Sequence, residues 1–164
     1  MKKFSLPLLI AAGFLAACAP INVQMDYDPD VDFSRYATFN WMPEDPDHKE
    51  RMPPSGPFMG KRIKKAVVEH LVARGYEKVS DAPDLLIAYR VHFKNKSYVD
   101  VGGYGYWGAR PIGVRHYREG TLVIDLVDRE RRELVWRGWS VSTLHPASNP
   151  QQEQRAVTKA VGEI

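Results

Sequence analysis

The sequence predicts an α+β domain, a mainly antiparallel β-sheet with about two helices packed on one face, behind an N-terminal targeting segment. Three observations carry this. Apolar residues recur every four positions over Met59 to Leu71, they alternate with polar ones from Asp84 to Phe93, and two β-rich runs flank a charged turn at Arg129 to Arg132. The 164-residue chain is 44% hydrophobic and 26% charged, the balance of a folded domain and not of a disordered tail or a polytopic membrane protein.

The first 17 residues read as a secretory leader. Lys2 and Lys3 give a positive start, Leu6 to Leu15 form an apolar run too short to span a membrane as a mature helix, and small residues follow. The run closes Leu15-Ala16-Ala17-Cys18, which resembles the bacterial lipobox. That resemblance implies cleavage before Cys18, a covalent diacylglycerol on its sulfur and an N-acyl chain, such as palmitate, on its amine. Two or more lipid chains hold a protein on a bilayer almost irreversibly. Ala19, where an inner-membrane retention signal commonly has aspartate, favours the outer membrane of a Gram-negative cell, facing the periplasm. Cys18 is the only cysteine, so the fold stands without an intrachain disulfide. Residues 18–24 form the lipidated start and a short tether, with a reach of at most ~20 Å, and 25–164 form a single domain.

Removing the leader leaves 21 lysines and arginines against 20 acidic residues, a net charge near +1. Nucleic acid binding needs a concentrated basic face, and the Lys61, Arg62, Lys64, Lys65 cluster reads better as a solvated helix surface.

Along the mature chain, Val23 to Asp28 is a first short strand, Asp30 to Ser34 a turn and Ala37 to Trp41 a second strand. Prolines 43, 46, 53, 54 and 57 make the next stretch a loop. Met59, Ile63, Val67 and Leu71, with Ala66 and His70 beside them, form one helix face, and Gly75 stands where a left-handed cap ends it. His70 borders that face and reads as a packed histidine before a ligand. The strand from Asp84 to Phe93 extends through Tyr98, Val99 and Val101. A return through Val114 to Tyr117 leads to Thr121 to Asp128, and Glu133 to Ser142 completes a hairpin. Trp136 and Trp139 fall on opposite faces of that last strand. Asn149-Pro150 caps a closing amphipathic helix with Ala156, Val157, Ala160, Val161 and Ile164 on its apolar side. It ends on an apolar residue without a cap, the pattern of a chain that continues a little further.

Taken in order, these segments resemble the bacterial lipoprotein family known as domain of unknown function 4136. The match lies in Asp26-Tyr27-Asp28, Asp32-Phe33-Ser34-Arg35-Tyr36, Thr38-Phe39-Asn40-Trp41, Leu71 to Tyr76, Pro83-Asp84-Leu85-Leu86, Gly120-Thr121-Leu122 through Asp128, and Leu134-Val135-Trp136-Arg137-Gly138. The resemblance implies an α+β envelope lipoprotein and brings no catalytic residues with it.

No sequence motif for catalysis survives inspection. Gly103-Tyr104-Gly105-Tyr106-Trp107-Gly108 has the spelling of a dinucleotide fingerprint, but Ala109-Arg110-Pro111 follows where a helix must start. Asp26, Asp28, Asp30 and Asp32 alternate, yet Phe33 and Phe39 occupy the glycine and glutamate positions of a calcium loop. The histidines at 48, 70, 92, 116 and 145 form no zinc pattern. Gly138-Trp139-Ser140-Val141-Ser142 departs from the serine nucleophile elbow, and Asp125 with Asp128 reads as two structural carboxylates. No metal and no cofactor beyond the lipid on Cys18 is expected.

The expected function is therefore non-enzymatic: an anchored envelope protein that binds or supports another envelope protein or glycan, with no nucleic acid partner. Its candidate interaction surface is the aromatic tip at Tyr104, Tyr106, Trp107 and Arg110, residue types that dominate contact energies. The alternative is a module whose pocket, between sheet and helices, takes a glycan, lipid or peptide.

Overall fold

The computed structural model describes residues 21–43, 58–100, 104–105, 108–109, 113–144 and 149–164. The leader, Cys18, most of the proline-rich stretch, and Tyr106, Trp107 and Arg110 of the tip lie outside the described residues.

Strands β1 (Asn22–Tyr27), β2 (Thr38–Trp41), β3 (Glu77–Lys78), β4 (Leu85–Asp100), β7 (Gly113–Asp128) and β8 (Glu133–Leu144) form one six-stranded sheet in the order β1-β8-β7-β4-β2-β3. The pairings among β1, β8, β7 and β4 are antiparallel, as expected. Strand β2, however, runs parallel to both β3 and β4. Its connection to them contains helix α1 (Met59–Ala73), the crossover that parallel neighbours require. Helix α2 (Pro150–Glu163) follows β8. Within the tip, β5 (Tyr104–Gly105) and β6 (Gly108–Ala109) pair as a separate ribbon.

Register fixes which side chains meet the helices. Phe39 pairs with Leu85, Ile87 with Leu126, and Val91 with Leu122, so these residues share one face. Buried Phe39, Leu85, Ile87, Leu122 and Ile124 cluster there with Ile63, Ala66 and Val67 of α1 and Val157 and Val161 of α2. Both helices thus cover the same side of the sheet. A register shift opposite Leu126 and Val127 gives β8 one extra residue, and Val135, buried at that step, joins the core.

The helix ends follow the chemistry of their sequences. After α1, the Tyr76 amide donates to the Leu71 carbonyl and the Gly75 amide to that of Val72, with Gly75 at φ 93°. These are the two bonds of a Schellman motif, and only glycine adopts that backbone without strain. Gly75→Ala is expected to lose about 1 kcal/mol of stability, read as a lower urea midpoint with an unchanged slope. At α2 the Asn149 side chain accepts from the Gln152 amide, and Pro150 takes the first turn, where no donor is needed.

Carboxylates tie the loops to this frame. Asp84 accepts from the Ala37 and Thr38 amides and the Thr38 hydroxyl at 2.8–2.9 Å, joining β2 to the start of β4. Asp128, 1% exposed, accepts from the Tyr36 hydroxyl and from the Glu130 and Arg131 amides of the hairpin turn. Of the alternating aspartates, Asp28 accepts from the Asp30 amide and Asp32 from the Ser34 amide and hydroxyl, which are turn and cap roles.

Candidate functional site

Strands β4 and β7 are each 16 residues long and their antiparallel pairing runs unbroken from Leu85 opposite Asp128 to Asp100 opposite Gly113. At ~3.3 Å per residue each extends roughly 50 Å, more than twice the ~22 Å of a 15-residue helix. The outer half of this ribbon projects past the helices. Where the two part, the helix-facing side opens into a groove of about 1200 Å³ between the sheet and the N-terminal part of α1 and the first three turns of α2.

Its walls follow from strand alternation. Val91 and Phe93 of β4, Leu122 of β7 and Leu144 of β8 face the groove from the sheet, and Met59, Ile63, Val157 and Ala160 face it from the helices. Gly120 helps to shape the floor. A Cβ there would sit 3.1 Å from the Leu144 side chain, so the missing methyl leaves room for Leu144 to lie across the strand. Further out on the same face of β7 come Arg118 and His116, both exposed, and these give the rim a basic character. The nearby acid is engaged. Glu153, the acid among the groove residues, pairs with Arg62 at 2.8 Å. Ser140 and Ser142 add hydroxyls to the β8 wall. Ser140 is 2% exposed, and its hydroxyl has no hydrogen-bond partner among the described residues.

The opposite face of the sheet carries no helix in the described structure. Asp125 there is gripped by Arg137 through Nε and a terminal nitrogen at 2.6 and 2.9 Å, and by Arg90 at 2.8 Å. Two guanidinium groups on one carboxylate satisfy it and leave a single net positive charge. Beside them Trp139, His92 and Val123 line a shallow depression of about 370 Å³. Trp136, on the other face, packs against the core, which is the division expected of the two tryptophans.

The residues singled out in the sequence are thus dispersed. Asp125 lies on the open face and Asp128 at the hairpin end, with separate partners. His70 is half-buried where α1 meets α2: a Cβ on Gly162 would be 2.9 Å from its ring. Of the aromatic tip, Tyr104 is described in backbone only, as part of β5. A pocket between sheet and helices is the alternative expected from the sequence, and Met59, Ile63, Val157 and Ala160 fall on the inward helix faces, but nothing in the sequence singles out Arg118 and Leu144 of the groove wall. The signal available was the length of the two alternating runs, which exceeds what two helices of ordinary length can cover. Among the described residues no group of histidine, cysteine and carboxylate side chains could hold a metal ion, and no helix is long and apolar enough to cross a membrane.

The model of a family described as a domain of unknown function (DUF4136) matches residues 23–164. The chain belongs to the DUF4136 family. No curated protein matches it. Among solved structures, the DUF4136 fold is similar to a PDZ domain protein from Parabacteroides distasonis, with a TM-score of 0.53 and 14% identity. That similarity covers 85% of this chain but 35% of the other, so the DUF4136 chain spans about a third of that protein's length. Two PelC dodecamer structures from Paraburkholderia phytofirmans give TM-scores of 0.46 and 0.44 at 12% and 14% identity. Each covers 88% of this chain, and 93% and 94% of their own.

Proposed function

We propose that this DUF4136 protein is a non-enzymatic lipoprotein of the cell envelope, anchored through Cys18 to the outer membrane and facing the periplasm, whose domain binds another envelope component in the sheet–helix groove. The groove carries this reading. It is concave, with an apolar floor of sheet and helix side chains and polar and basic groups gathered toward its outer end, the form of a binding site. It is also of a size for a small or elongated ligand, which favours a glycan, lipid or peptide over a broad protein face. A binding role without catalysis draws support from the buried carboxylates, whose oxygens are taken up by turn amides, a tyrosine hydroxyl and arginines.

Two experiments test it. Membrane fractionation of Cys18→Ser should move the protein from the membrane pellet to the soluble fraction, and unaltered membrane recovery would remove the anchor. A photoreactive amino acid at Phe93 or Leu144 should capture a component in cells that the same group at exposed Val72 on α1 does not. Equal capture at all three positions would remove the groove.

A further inference from the structure

We infer that the groove takes a membrane phospholipid with an anionic headgroup, drawn from the bilayer to which the domain is tethered; this deepens the binding reading above and rests on it. Four features converge on that occupant.

The first is position. In the β1–β8 pairing Asn22 stands opposite Val141 and Val23 opposite Ser140, so β1 begins beside the part of β8 that walls the groove. Cys18 is four residues upstream of Asn22, a reach of at most about 14 Å. A lipid anchor on its sulfur therefore holds the groove end of the sheet close to the bilayer. The second is size. A groove of about 1200 Å³ exceeds the roughly 300–1000 Å³ of an ordinary small-molecule pocket, as an elongated ligand requires. The third is polarity along the groove. Val91, Phe93 and Leu122 offer an apolar bed for acyl chains, while Arg118 at the rim offers a cation to a phosphate, and Glu153, the acid among the groove residues, is already paired with Arg62. The fourth is the buried Ser140 hydroxyl. With no acceptor among the described residues it carries a desolvation cost, and an ester carbonyl would meet it. A ligand that is apolar over most of its length and supplies acceptors near Ser140 and Arg118 is a phospholipid.

The test uses the full-length, lipidated protein in vesicles of phosphatidylethanolamine and phosphatidylglycerol at about three to one, doped with phosphatidylglycerol bearing a diazirine on one acyl chain. After illumination, mass spectrometry maps the labelled residues. Labels should concentrate on Phe93, Leu122 and Leu144 over Val123 and Trp139 of the opposite face, at least fivefold. Arg118→Glu should reduce groove labelling several-fold with the circular dichroism spectrum unchanged. Ser142→Trp, which fills the wall, should reduce it as well, so the inference does not hang on one variant. Equivalent labelling of both sheet faces, or labelling confined to residues 18–24, would overturn the inference. So would groove labelling indifferent to both substitutions, or capture of a protein instead of lipid at Phe93 and Leu144 in cells; that last outcome leaves the broader binding reading standing. If the protein fails to attach to vesicles yet its groove is labelled, the anchor falls and the groove assignment survives.

Discussion

Asp128→Ala is expected to lower the unfolding free energy by about 3 kcal/mol, the cost of removing the acceptor of a buried tyrosine hydroxyl and two part-buried turn amides and of leaving a cavity. The carboxylate is 1% exposed and accepts from the Tyr36 hydroxyl at 2.8 Å and from two turn amides at 2.8 and 2.9 Å. Alanine removes the acceptor for all three and leaves a void beneath Tyr36. The loss should appear as a fall in Tm of roughly 10 °C for a domain of this size, and a shift of a degree or two would contradict the assignment. Acid should produce a related effect. Burial pushes the Asp128 carboxyl up, but the amides of Arg131 and Glu130, the Tyr36 hydroxyl and the nearby Arg35 outweigh it and hold its pKa below the ordinary 3.8. Asp84 is held low by the Ala37 amide, then by the Thr38 hydroxyl and amide. A carboxyl that is more acidic folded than unfolded contributes fully above its unfolded pKa, and the contribution is lost as pH falls through the folded value. Stability should therefore be level with respect to these two groups near neutrality and decline below about pH 4, with a shallower acid decline in Asp128→Asn.

Gly138→Leu should be the most damaging change on the surface that joins sheet to α2. Gly138 is buried in β8, and a side chain there would run into Ile164 at the end of α2 and into the Trp136 ring. Overpacking at such a site costs about 2–3 kcal/mol. The helix end must move or Trp136 must leave its place. Hydrogen exchange should report the difference: amides of residues 160–164 should lose protection before those of α1. Equal loss across both helices would mean that the glycine serves the sheet alone.

Much of this architecture is written in the chain as periodicity. The Met59, Ile63, Val67 stripe, the Gly75 stop, the Asn149-Pro150 start and the hairpin around Arg129 to Arg132 each rest on interactions within a few residues, and local chemistry suffices to find them. The parallel pairing of β2 was not legible. Strand β3 is two charged residues, Glu77 and Lys78, held by register against Thr38 and Phe39, and no two-residue strand carries a pattern. Gly138 looks like any strand glycine until Ile164 is brought over it. A pocket between sheet and helices is expected as an alternative, but its outer wall was not legible: Leu122, Gly120 and Arg118 alternate on one face but change from apolar to charged along it, so no single period marks them as a wall.

The pairing of β1 with β8 also governs the order in which the molecule can assemble. Asn22 and Val141 are neighbours in space yet roughly 120 residues apart along the chain. A chain made from its N-terminus delivers β1 before the other strands of the sheet and its partner β8 after them. Until β8 arrives, β1 has nothing to zip onto and must wait unpaired. Completion of the sheet is thus timed by β8, and truncation after residue 132, which removes that strand, should leave β1 loose and open to proteases.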